Sequence, residues 1–85
     1  MNIKHVVVNS LEGIIFVGRM NECHDFETQN GIDTYTSRGR RQIPYYTREF
    51  CTIDVFDKYE TGTLKKEDVT YVWNKNRTQR IFSLK

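Results

Sequence analysis

Two apolar runs near the N-terminus restrict this chain more than any other feature. Val6-Val7-Val8 and Ile14-Ile15-Phe16-Val17 are unbroken, whereas a strand with one wet face would alternate apolar and polar residues. Unbroken runs suit strands that are covered on both sides. Ser10-Leu11-Glu12-Gly13 between them has the composition of a turn, so residues 3–9 and 14–20 read as an N-terminal hairpin. A hairpin of this kind needs a cover on each face: a helix, a second sheet, or a partner.

The chain has 85 residues, enough for one hydrophobic core, so residues 1–85 are expected to form a single domain. Hydrophobic residues at 38% and charged residues at 28% lie in the range of chains that fold. Further strand signals follow the hairpin. Asn30-Gly31 lies between strand-like runs, and with a type I′ turn there Phe26 would pair across strands with Tyr35. Residues 37–48 are punctuated by Gly39 and Pro44 and read as a loop or arm. Residues 50–56 fit a strand with Cys51, Ile53 and Val55 on one face. They also fit a helix with Phe50, Ile53 and Phe56 at spacing three. A short helix is expected near residues 64–70. Val69, Tyr71 and Trp73 then share one side of a strand, Asn74-Lys75-Asn76 is a turn, and residues 80–84 form a last strand. The expected fold is mainly β, a small antiparallel barrel or bent sheet of 6–7 short strands.

Several function classes are disfavoured. The chain has no run near the ~20 apolar residues that span a bilayer, and its first residues lack the apolar core and cleavage site of a secretory leader. A cytoplasmic protein is therefore expected, with no membrane partner and with Cys23 and Cys51 as free thiols. His5, Cys23, His24 and Cys51 lack the spacing of a zinc site, and Cys23-His24-Asp25 are too close in sequence to be assembled as a triad. Residues 57–68 resemble an EF-hand calcium loop, with Asp57 first, Gly62 sixth, Leu64 eighth and Asp68 twelfth. Tyr59 and Lys65 replace ligands at the third and ninth positions, and Asp68 stands where a bidentate Glu is usual. No cofactor, no metal and no enzymatic activity are expected; a small metal- or thiol-dependent protein is the third alternative.

Charge is segregated. Residues 38–48 carry Arg38, Arg40, Arg41 and Arg48 without an acid, and residues 69–85 carry Lys75, Arg77, Arg80 and Lys85. The intervening segments are acidic, so a net charge of +2 conceals a patterned surface. Tyr45 and Tyr46 adjoin the arginine cluster, and Trp73 adjoins the second basic segment. Arginine and tyrosine are frequent interface anchors. The expected binding surface is therefore Arg38, Arg40, Arg41, Tyr45, Tyr46 and Arg48, with Trp73, Lys75, Arg77 and Arg80 as a secondary surface and the guanidinium groups free until docking. A non-enzymatic binding protein acting on another protein is the leading expectation, and single-stranded nucleic acid is the alternative partner. In its compactness, aromatic content and alternating charge blocks the chain resembles small accessory proteins of bacteriophages. That resemblance implies a protein partner and an inhibitory or modulating role. The twice-covered hairpin also fits a homodimer joined through edge strands.

Overall fold

A computed structural model describes residues 3–32, 34 and 44–85. Five strands form one open sheet: β1 (Ile3–Asn9), β2 (Gly13–Gly18), β3 (Tyr46–Thr52), β4 (Val69–Trp73) and β5 (Arg80–Leu84), in the order β2-β1-β3-β5-β4. Neighbours are antiparallel except β3 and β5, which run parallel. The mainly-β expectation therefore stands, while the barrel does not, because β2 and β4 are separate edges. The count among the described residues is five strands instead of six or seven.

The N-terminal hairpin forms as its sequence suggests. Val7 pairs with Phe16 and Val8 with Ile14, so Ile15 is an extra residue and the register shifts there. Val6 and Val7 point to opposite faces and both are fully buried. Each face has its own cover. On one, Val6, Val8, Val17, Cys51 and Phe82 pack with Val55 from a helix α2 (Ile53–Glu60). On the other, Val7 and Phe16 lie beneath a helix α1 (Met20–Asn30), whose Phe26 ring stacks on Phe16 at 4.5 Å. Phe16 also meets Tyr59 of α2 edge-on at 6.0 Å, so one ring at the β2 edge touches both helices. Full burial of a valine side chain contributes ~1.5–3 kcal/mol, so the buried valines of β1 stabilise both faces of the sheet.

Helix α1 replaces the hairpin expected around Asn30-Gly31. Cys23, Phe26 and Glu27 recur at spacings of three and four and face the sheet. Glu22 accepts the Arg19 backbone N–H at 2.7 Å and so closes the helix start. Gly31 is left-handed, with φ 65°, and the Ile32 N–H donates to the Glu27 carbonyl at 2.8 Å. A hairpin and a helix C-terminus both need positive φ at this glycine, so the dipeptide alone does not separate them. Phe26 is helical and its expected partner Tyr35 lies outside the described residues.

Both readings of residues 50–56 are half right: the chain is strand to Thr52 and helix from Ile53. The helix signal near residue 64 resolves to a single 3-10 turn, Lys66–Asp68. The calcium-loop alignment breaks at its first position, because Asp57 lies within α2 and its carbonyl accepts the Thr61 N–H.

Candidate functional site

Beyond the end of α2 the same sheet face is open, and there it forms a groove of about 430 Å³. Val8, Ile14, Val69 and Phe82 supply its apolar floor. Tyr45 and Thr47, a wall of Leu64, Lys65 and Lys66, and a rim of Tyr71 and Arg80 complete its lining.

Local hydrogen bonds shape this rim. Buried Asn9 accepts the N–H groups of Leu11 and Glu12 through Oδ1, at 2.7 and 2.9 Å, which fixes the β1–β2 turn. Lys66 Nζ donates to the Leu11 carbonyl at 2.9 Å and ties the 3-10 turn to it. Ser10 and Tyr45 exchange two bonds, Ser10 N–H to the Tyr45 carbonyl at 2.9 Å and Tyr45 N–H to Ser10 Oγ at 3.0 Å.

Arg80 is held more firmly than any other cation lining the groove. Glu49 Oε1 accepts its backbone N–H at 2.8 Å, Oε2 accepts its Nε–H at 2.9 Å, and Nη2 bonds to the same oxygen. Thr47 Oγ1 donates to Oε2 at 2.9 Å. Burial pushes the Glu49 carboxyl up, but the hydrogen bonds from Arg80 and Thr47 outweigh it and hold the group below its ordinary value. The guanidinium lies over the Tyr71 and Phe82 rings, each at 5.0 Å, and near the Trp73 ring at 5.9 Å. Tyr71 and Trp73 meet edge to face. The rim therefore presents a pre-oriented cation within three aromatic rings, two of them exposed.

The expected site residues divide. Arg38, Arg40 and Arg41 lie outside the described residues. Tyr45 lines the groove and is exposed, and Tyr46 begins β3 opposite Asn9. Arg48 departs from expectation. β3 alternates, so Thr47 faces the groove and Arg48 faces α1. There Nε donates to Glu27 Oε2 at 2.6 Å and Nη2 to Oε1 at 3.0 Å, a two-pronged pair with a nearly buried carboxylate. Its guanidinium is thus committed within the chain, as is that of Arg80. Lys75 and Arg77 sit exposed on the 74–79 turn, where Asn74 accepts the Thr78 N–H at 2.9 Å.

The four His and Cys side chains are not assembled. His5 packs on Phe50, Cys23 is buried under α1 beside the Gly18 carbonyl, His24 is exposed, and Cys51 belongs to the α2 side of the core. Burial pushes the Cys23 thiol up to about 11 and the Cys51 thiol up to about 12. Sequence reasoning missed Lys65, Lys66, Tyr71 and the organising role of Glu49. One available signal was the alternation Thr47-Glu49-Cys51, which sets a carboxylate on a core-facing row where it needs a cation. Comparison with protein-family models, with curated proteins and with solved structures finds no match.

Proposed function

We propose that this chain is a non-enzymatic binding protein that docks on another protein and modulates or inhibits it, with the groove between Tyr45, Lys65 and Arg80 as its working surface. The carrying observation is the fixed geometry of that groove. Arg80 is oriented by Glu49 and flanked by exposed Tyr71 and Trp73, so a partner finds its anchors already placed. Anchors ordered in advance reduce the entropy lost on association. The floor is apolar, while Lys65 and Lys66 stand on the wall against a single lining carboxylate, Glu12. This combination favours an acidic segment of the partner that presents one apolar or aromatic side chain.

A photo-crosslinking amino acid at Lys65, compared with one at exposed Thr28 on α1, tests the reading in cells. The expected result is one protein crosslinked from position 65 alone, lost when Lys65 and Lys66 are both changed to Glu in a folded variant. Crosslinks that go to nucleic acid, or a partner captured equally from both positions, would refute it.

A further inference from the structure

The outer edge of β4 is the least defended part of the described sheet. Natural edges are blunted by bulges, prolines or lysines. β2, the other edge, carries the register shift at Ile15. β4 reads Val-Thr-Tyr-Val-Trp, a sequence of high strand preference with none of these devices, and Thr70 to Trp73 are all exposed.

Two backbone bonds at the ends of β4 fix the hydrogen-bond phase of this edge. Lys85 N–H donates to the Asp68 carbonyl at 3.0 Å and Asn74 N–H to the Gln79 carbonyl at 2.9 Å. In the β4–β5 register, residues 68, 70, 72 and 74 therefore direct their backbone groups toward β5. Val69, Tyr71 and Trp73 direct theirs outward.

We propose that a second copy of this chain pairs here, β4 to β4 and antiparallel, about a two-fold axis at Tyr71. This goes beyond the binding role above and does not depend on it. In that register Tyr71 opposes Tyr71 of the second copy, and Val69 opposes Trp73 in both directions. These are three pairs of outward-facing residues with two bonds each, about six in all. A register displaced by two residues, with the axis at Thr70 or Val72, keeps only two such pairs, and a one-residue slip keeps none. The side-chain pairing is self-consistent: tyrosine meets tyrosine, valine meets tryptophan, and Thr70 meets Val72 on the other face. No like charges oppose within the strands. Past their ends, sequence register sets Glu67 of one copy on the side of Lys75 of the other. A perpendicular two-fold keeps both grooves on one face of a continuous sheet, a closed and isologous arrangement.

The test is mass in solution across a broad concentration range, by sedimentation or light scattering. The wild-type chain should rise from 10.2 kDa toward twice that mass. Thr70→Lys with Val72→Lys places lysines opposite each other twice and should weaken the dimer about tenfold or more. Thr70→Lys with Val72→Glu places opposite charges at the same two positions and should restore it. Both side chains are exposed in one copy, so circular dichroism should show the fold retained. A wild-type chain that stays at 10.2 kDa overturns the proposal. A double-lysine variant that dimerises like wild type, or a lysine–glutamate variant that does not regain the dimer, overturns the register and with it the proposal.

Discussion

Replacing Glu49 with Gln tests whether the buried carboxylate organises the rim. Glu49 is 4% exposed and accepts from Thr47 Oγ1 and from three donors of Arg80. A glutamine keeps the shape but has one acceptor oxygen. Its best orientation sets that oxygen at the Oε2 position, where Thr47 and the guanidinium converge. Its NH2 group then faces the Arg80 backbone N–H, which loses its partner. Orphaning that donor costs ~1–3 kcal/mol, and losing the charge from the remaining bonds costs about 1 kcal/mol more. The Arg80 side chain is 25% exposed, so water recovers part of its solvation and the expected loss is ~3 kcal/mol. A domain of this size holds ~4–13 kcal/mol in total, and each kcal/mol shifts Tm by roughly 4–8 °C, so a fall of ~12–24 °C is expected. Urea unfolding followed by the fluorescence of Trp73, with calorimetry beside it, measures both. The pH dependence supplies a second check. Because the folded carboxyl lies below its ordinary value, the unfolded chain binds more protons in acid. The contribution of Glu49 is complete above ~4.3 and is lost as pH falls through the folded value. Parent and variant should therefore converge in acid. A loss below ~0.5 kcal/mol at neutral pH, or a gap that does not narrow in acid, would refute the reasoning.

Other expectations concern the two faces separately. Cys23 and Cys51, buried with thiols raised to about 11 and about 12, should resist iodoacetamide at neutral pH in the native protein and react fully in urea. Mass spectrometry counts the adducts. Gly31→Ala should cost about 1 kcal/mol because φ is 65° there, and Gly31→Asn should cost less; denaturant midpoints compare them. Burial, aided by the Arg48 guanidinium, holds the His5 imidazole below its usual value. The folded chain thus binds fewer protons at this site, so its contribution is present above ~6.5 and lost as pH falls through the folded value. An NMR titration should give a His5 midpoint below 6.5, and His5→Gln should flatten the stability profile over that interval.

Much of the sheet was legible because its signals are local. The triple valine, the turn at Ser10 to Gly13, and the alternation from Val69 to Trp73 each fix a strand without reference to the rest of the chain. Helix α1 was not legible from its strongest cue, since Asn30-Gly31 serves a helix end as readily as a hairpin. The spacing of Cys23, Phe26 and Glu27 was the better guide. The parallel pairing of β3 with β5 was hidden because it depends on how α2 and β4 bring the chain back. The same non-locality hid the groove. Tyr45, Lys65 and Arg80 are far apart in sequence and meet only once strand order is known. Arg48 was read for its charge, while its direction depended on register with Val7 and its partner on a helix that sequence reasoning had drawn as a strand.

Adjacent residues Arg48 and Glu49 send opposite charges through opposite faces of one strand, each to a carboxylate or guanidinium already waiting there. If β3 slid by one position, either Glu49 would take the place of Arg48 and confront Glu27 while Arg80 lost its carboxylate, or Arg48 would take the place of Glu49 and confront Arg80 while Glu27 lost its cation: one repulsion and one unpaired charge in place of two attractions. The central strand thus works as a two-sided key: its alignment is policed from above and below at once, and the misthreaded sheet is penalised twice.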